Sequence, residues 1–332
     1  MPVSLEDRFA GCLIGQAVGD ALGFVVEGYT AQICQRYVAT ELRAGKAGAR
    51  GRPPYEFGQY SDDTQLSREL LRSLVAAGDF DPQDYAARIA TLFRDGRVVG
   101  RGRTTEEAAQ RLIAGVPWDR AGTPAPAAGN GSAMRAPPIG MAFRDDPDRM
   151  LSAAHDQGRI THADPRCSAG AVAIAGAVSI AASGIVPEAR YCAPLLAEWV
   201  SPHSPDFAAA ILLLADYAEL PPEDAFPLIS HVGWEPETLI AFEGISPFVV
   251  PSVLWSLYSV FRTPDDYWST VCTAIAAGGD VDTTAAMAGA ISGAYLGIDA
   301  VPADLAAKLN DNGTSGLSDM VDLAVRTAQI FC

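Results

Sequence analysis

Apolar residues recur at three- and four-residue intervals along most of the chain, the period of one face of an α-helix. The pattern is clearest over residues 66–77, 84–94, 105–113, 169–182 and 284–296, and predicts a helix over each. No segment alternates apolar and polar residues in the way a half-buried strand does. Between the periodic segments stand Gly78-Asp79, Gly115-Val116-Pro117, Gly184-Ile185-Val186-Pro187 and Pro221-Pro222, combinations that stop a helix and open a short connection. The reading is all-α. With no long low-complexity linker and no repeat at a solenoid period, residues 1–332 are expected to form a single domain.

Two predicted helices carry glycine rows at four-residue spacing: Gly11, Gly15, Gly19 and Gly23, and then Gly289, Gly293 and Gly297. Such a row lies on one face of a helix and leaves a flat strip that another backbone can approach closely. Taken alone, the rows are as readily a packing device as a functional one. Acidic residues at their ends change the picture. The first row ends near Asp20 and Glu27, the second begins after Asp280 and Asp282, and if the strips face each other the acids can meet.

A chain of 332 residues that is 49% hydrophobic can bury a substantial core. Its apolar runs are too short, or too rich in Gly, Ala and Ser, to read as a membrane span. The N-terminus lacks the basic region and apolar stretch of a signal peptide. A soluble, cytoplasmic protein is expected. Cys12, Cys34, Cys167, Cys192, Cys272 and Cys332 show no CxxC spacing and mostly sit among apolar neighbours, so they read as reduced core residues. A formal net charge of −16 argues against direct binding to nucleic acid or an anionic membrane.

Ser61-Asp62-Asp63-Thr64 stands just before a periodic segment, where serine and acids also serve as ordinary helix caps. Gly278-Gly279-Asp280-Val281-Asp282-Thr283 opens another helix. Brought together with Glu27, these motifs would crowd five carboxylates with no lysine or arginine inside the motifs themselves. Such crowding raises carboxyl pKa values or recruits cations. An all-oxygen set that includes the Ser61 and Thr283 hydroxyls, without His or Cys, suits Mg²⁺, Mn²⁺ or Ca²⁺ better than zinc. So many carboxylates favour two ions over one. Gly129-Asn130-Gly131-Ser132-Ala133-Met134 exposes successive backbone N–H groups that can cradle phosphate, although alone it also reads as a plain loop. Gly100-Arg101-Gly102-Arg103-Thr104 is a candidate ligand rim or a flexible basic loop. His162, one of four histidines, reads by itself as an ordinary hydrogen-bonding residue.

Four ordered blocks carry a resemblance: GQAVGDALGFVVE from Gly15, SDDT from Ser61, GNGSAMRAPPIG from Gly129 and GGDVDTTAAMAGAISGAYLG from Gly278. Together they resemble the ADP-ribosylglycohydrolase family, which includes dinitrogenase reductase-activating glycohydrolase and the ADP-ribosyl-acceptor hydrolases. The resemblance implies an orthogonal all-α fold and a binuclear Mg²⁺ or Mn²⁺ centre. The family's metal ligands fall on Ser61, Asp62, Asp63, Asp280, Asp282 and Thr283, and its mobile glutamate on Glu27. Its phosphate loop falls on Gly129, Asn130, Gly131, Ser132 and Met134, and the histidine of its TH motif on His162. Gly100, Gly102, Thr104, Gly278 and Gly279 are expected to add substrate contacts, and Glu27, Asp62 and Asp63 are the expected catalytic groups. Ser61 stands where threonine is commonest in the family and keeps the hydroxyl. Residues 202–268, with Trp234, Glu235 and Trp255, match no motif, which leaves substrate choice open there.

The expected activity is hydrolysis at the anomeric carbon of ADP-ribose attached through nitrogen or oxygen to a protein side chain or a small molecule. One rival is a catalytically silent ADP-ribose-binding protein, against which the retained acids argue. Another is a two-metal nucleotide phosphoesterase, which would release phosphate or a nucleoside monophosphate instead of intact ADP-ribose.

Overall fold

The computed structural model describes residues 3–234 and 243–331, so Glu235 and Cys332 lie outside the described residues. Within them are seventeen α-helices and no β-strand. The first six are α1 (Leu5–Phe24), α2 (Ala31–Tyr37), α3 (Asp62–Ala77), α4 (Pro82–Arg94), α5 (Arg103–Ile113) and α6 (Trp118–Ala121). A 3-10 turn over Asn130–Ser132 leads to α7 (Pro137–Ala142), α8 (Pro147–Arg159), α9 (Pro165–Ala182), α10 (Ala189–Val200), α11 (Pro205–Tyr217) and α12 (Pro222–Ile229). The last five are α13 (Val249–Arg262), α14 (Tyr267–Ala276), α15 (Val281–Leu296), α16 (Ala303–Ala306) and α17 (Leu317–Ile330).

All five predicted helical segments lie within these helices, and each begins two to four residues late. Apolar period cannot see a first turn made of capping residues. In α3 the turn before residue 66 is Asp62-Asp63-Thr64-Gln65, capped by Ser61, whose hydroxyl accepts from the Asp63 N–H. In α4 and α9 an aspartate cap, Asp81 or Asp164, is followed by proline at the first helical position, where no N–H is needed.

The centre of the fold is the antiparallel pair α1 and α15. Both are buried on every side, α1 from Phe9 to Phe24 and α15 from Val281 to Ala294, so neither has a polar face to show solvent. Their glycine rows face each other. A Cβ built on Gly11 would stand 2.3 Å from the Gly293 carbonyl oxygen, one on Gly15 2.5 Å from that of Gly289, and one on Gly19 2.2 Å from that of Ala285. At the far end a Cβ on Gly23 would stand 2.5 Å from the Asp282 Cα. The C-terminal end of α1 therefore meets the N-terminal end of α15, and the acids of both helices arrive at one place.

Helix α9 is long and apolar enough to cross a membrane, yet 89% of that stretch is buried, as expected of a core helix. Cys12, Cys34, Cys167, Cys192 and Cys272 are buried free thiols. Buried Arg68 on α3 pairs with Asp311 (2.7 Å) and the Tyr60 hydroxyl (2.7 Å), tying the segment before α17 to the helix that carries Asp62 and Asp63.

Candidate active site

The α1–α15 junction opens into a cavity of about 500 Å³. Glu27, Asp62, Asp63, Asp280, Asp282 and Thr283 form its acidic wall. Oxygen atoms of Glu27, Asp280 and Asp282 lie within 4.8 Å of one another. The Thr283 hydroxyl stands 3.4 Å from both Asp63 Oδ2 and Asp280 Oδ1, linking α15 to the start of α3. Asp63 Oδ2 accepts from the Ser61 hydroxyl at 2.9 Å, whereas its Oδ1 is buried without a hydrogen-bond partner.

Asp20 organises this wall from behind. Fully buried near the end of α1, it accepts from the Ser61 N–H (2.9 Å), the Thr64 N–H (3.1 Å) and the Thr64 hydroxyl (2.6 Å). It thereby holds the first turn of α3 and aims Asp62 and Asp63. A second fixture sets Glu27. Gly278 and Gly279 have φ of 73° and 84°, the left-handed region that favours glycine. In that conformation Gly279 donates to the Tyr29 carbonyl and accepts from the Gly28 N–H, both at 2.8 Å, while the Gly278 carbonyl accepts from the Ile245 N–H. The loop carrying Glu27 is thus stitched to the start of α15.

The opposite wall contains Gly129, Asn130, Gly131, Met134 and His162, with Gly100–Thr105 at one side. The Asn130 amide donates to Asp280 Oδ2 (2.6 Å) and to the Ser252 hydroxyl (2.9 Å), and its backbone N–H to the Pro247 carbonyl. This wall is therefore bonded directly to the acidic one. Gly100, at φ 76°, packs against Ser61 and Asp62, and the adjoining strap is fastened by the Asp62 N–H on the Val99 carbonyl. His162 is buried, with Nδ1 2.7 Å from the Thr161 hydroxyl.

Burial raises the Asp20 carboxyl to about 6 even though Thr64 and Ser61 donate to it, and raises Asp280 to about 6 against the bond from Asn130. Asp62, Asp63 and Asp282 are pushed well above the usual carboxylate range. Burial is the main cause in each, followed by neighbouring charge: Asp20 for Asp62 and Asp63, Glu27 for Asp282. Burial, with the nearby Arg135 charge, lowers His162 to about 3, so its ring is neutral at pH 7.

The cavity gathers most of the residues singled out from sequence: Glu27, Asp62, Asp63, Asp280, Asp282, Thr283, Gly100, Gly102, Thr104, Gly129, Asn130, Gly131, Met134 and His162. Four others stand off the wall. Ser61, expected as a ligand, is the α3 cap with its hydroxyl on Asp63. Ser132, expected on phosphate, turns its hydroxyl to the Cys167 carbonyl at 2.9 Å. Gly278 and Gly279, expected to touch substrate, serve the backbone stitch. The acids also have a basic neighbour from outside their motifs: Arg52 forms an ion pair with Glu27 and donates to the Phe24 carbonyl at 3.2 Å. The sequence offered a faint signal for Arg52, the Gly- and Pro-rich stretch around it, and none for Pro247, whose place depends on a contact with Asn130 far away in the chain.

A family model described as ADP-ribosylglycohydrolase matches residues 1–330. The ADP-ribosyl-(dinitrogen reductase) glycohydrolase of Rhodospirillum rubrum is 30% identical over 312 residues, covering 92% of each chain. The ADP-ribosylhydrolase ARH3 of Gallus gallus is 29% identical over 320 residues, covering 89% of this chain and 87% of that protein. Among solved structures, an ADP-ribosylglycohydrolase-related protein complex matches with a TM-score of 0.72 over 99% of both chains, at 26% identity.

Proposed function

The chain belongs to the ADP-ribosylglycohydrolase family, and from that premise we propose that it is a divalent-cation-dependent enzyme that cleaves the N- or O-glycosidic bond between ADP-ribose and a protein or small-molecule acceptor. The observation that carries this reading is the cavity with five carboxylates on one wall and a bare glycine backbone with a neutral histidine on the other. The first suits cations and ribose hydroxyls, the second a pyrophosphate.

The donor set fits hard divalent cations. Asp62, Asp63, Asp280, Asp282, Glu27 and Thr283 present oxygen only, and Asp63 Oδ1 is a buried acceptor with no donor. Two ions, Mg²⁺ or Mn²⁺, match the number of carboxylates. When bound, they supply Lewis-acid polarisation and a hold on substrate oxygens. The protein's own groups do the rest. The Gly129–Gly131 backbone lets a phosphate approach without steric hindrance, and His162 offers a neutral ring beside it. Glu27, half-buried at the mouth of the acidic wall, accepts a proton from the attacking water. Asp62 and Asp63 stabilise positive charge developing at the anomeric carbon as the bond to the acceptor breaks.

Incubation with defined ADP-ribosylated peptides and small molecules, with Mg²⁺ or Mn²⁺ and mass spectrometry of the products, tests the activity. Intact ADP-ribose is expected, and its release should stop in chelator. Release of phosphate or nucleoside monophosphate, or no turnover on any substrate, would overturn the proposal.

Cation binding should depend on pH in a definite direction. Asp280, raised to about 6, holds a proton at pH 5 that cations must displace, and Asp62, Asp63 and Asp282 are pushed in the same direction, well above the usual carboxylate range. Because the folded values lie above the unfolded ones, the metal-free protein loses the stability these protons give as pH rises through and above 6. The gain in melting temperature from Mg²⁺ over chelator should therefore be small at pH 5 and larger at pH 7.5. Equal gains at both would separate the cation from this cluster.

Gly131 offers a test of the phosphate wall. A Cβ there would stand 2.7 Å from His162 Cε1 and 3.1 Å from Thr105 Oγ1. Gly131→Val crowds two cavity-lining side chains and no backbone atom, so it should fold, and should weaken ADP-ribose binding by roughly tenfold or more, the scale of one lost hydrogen bond to a charged group. Calorimetry giving the native affinity would remove this loop from the site.

A further inference from the structure

Beneath the glycine wall a chain of buried side chains ends on His162. The Arg135 Nε donates to Gln157 Oε1 at 3.0 Å, and its Nη2 donates to the Gln157 carbonyl at 2.9 Å and to the Thr161 hydroxyl oxygen at 2.8 Å. The Gln157 amide donates to the Ser132 carbonyl at 2.8 Å, which locks the chain to the cavity loop itself. The Thr161 hydroxyl lies 2.7 Å from His162 Nδ1. Arg135, Gln157 and Thr161 are all fully buried, and His162 is 2% exposed.

We propose that Arg135 and Thr161 are positioning residues that act through His162, fixing its ring as the tautomer with the proton on Nε2 and so presenting one N–H donor to an oxygen acceptor in the cavity. The proposal rests on the functional reading above only for the identity of that acceptor, a phosphate oxygen of ADP-ribose.

The hydrogen-bond inventory decides the tautomer. A guanidinium has donors only, so Arg135 occupies a lone pair of the Thr161 oxygen. The hydroxyl proton then needs an acceptor, and among the described residues His162 Nδ1 is the one within reach. Nδ1 is therefore unprotonated, and a neutral imidazole with a bare Nδ1 carries its proton on Nε2. The opposite tautomer would leave the buried Thr161 proton without an acceptor. Burial and the Arg135 charge exclude the doubly protonated ring at neutral pH, consistent with a pKa lowered to about 3. Nε2 has no hydrogen-bond partner among the described residues, and it lies 3.2 Å from where a Gly131 Cβ would be, against the bare backbone of the cavity wall.

Nitrogen-15 spectra of the histidine rings at pH 7 test this, with His162→Gln assigning one signal among the four histidines. Native protein should show an unprotonated Nδ1 and a protonated Nε2. Thr161→Val, which keeps the shape and removes the hydroxyl, should move both nitrogens toward a tautomer mixture and weaken ADP-ribose binding by about tenfold, one hydrogen bond's worth. Thr161→Ser should restore both. A native ring protonated on Nδ1, or a folded Thr161→Val protein with an unchanged ring spectrum, would overturn the proposal. If Thr161→Val fails to fold, the native ring spectrum still decides the tautomer, and Thr161→Ser, which keeps the hydroxyl, should show the native spectrum. Failure of the native protein to bind ADP-ribose would sink the functional reading and leave the ring spectra to decide the relay alone.

Discussion

Gly19→Val is expected to cost the protein about 3 kcal/mol or more, the upper range for overpacking a filled core, and to take its cation response with it. Even a methyl group at this position would stand 2.2 Å from the Ala285 carbonyl oxygen and 2.7 Å from its carbon, both backbone atoms of a helix that is itself enclosed. Neither can swing aside as a side chain would, so α1 and α15 have to separate. Gly19→Ala sharpens the test, because in an ordinary helix interior it should stabilise by about 1 kcal/mol. A fall in the urea midpoint for Gly19→Ala would thus have overcome a favourable propensity term. Gly102→Ala is the control for stability alone, since its Cβ would meet nothing closer than the Thr105 hydroxyl at 4.0 Å. If Gly19→Ala matches the native midpoint, the two helices are not held this closely. Any Gly19→Val protein that remains folded should show a weaker melting response to Mg²⁺, because the displaced helix ends carry Asp20 and Asp282.

The glycine rows were the most informative feature of the sequence for this fold. Four-residue spacing marks a helix face whatever the tertiary structure, and acids at the ends of two such faces pointed to where the site would lie. The SDDT and GGDVDT motifs were legible for the same reason: each is a local pattern at a helix start. Side-chain direction was not legible. Ser132 lies in the right loop, yet its hydroxyl is committed to the Cys167 carbonyl of another helix. Gly278 and Gly279 sit beside the acids, yet the positive φ that suits glycine there serves backbone pairings, of Gly279 with residues 28 and 29 and of Gly278 with Ile245. Asp20 looked like one more acid of the cluster, whereas three donors from the start of α3 make it the anchor of that helix. Each of these outcomes depends on a partner from a distant segment, which local periodicity does not encode. The ion pair between Arg52 and Glu27 is the same kind of contact, and it supplies the countercharge missing from the motifs themselves.

Glu27→Gln should lower turnover by roughly a hundredfold or more, the usual scale for losing a general base, while ADP-ribose affinity changes little. Glu27 is half-buried and sits just past α1 on a loop stitched to the start of α15, with an oxygen within 4.8 Å of Asp280 and Asp282 oxygens. It is therefore on the acidic wall of the cavity without being part of a helix. Its ion pair with Arg52 has a specific consequence for the test. A glutamine keeps an oxygen for the Arg52 guanidinium, so the loop should stay where it is, and only the negative charge and the capacity to take a proton are lost. Interactions needed in the transition state alone reduce turnover without weakening ground-state binding. Calorimetry and initial-rate assays on one preparation separate the two effects. Near-normal turnover would move the proton-accepting role to Asp62 or Asp63, and a parallel loss of binding and turnover would make Glu27 a residue that holds the cations or the loop.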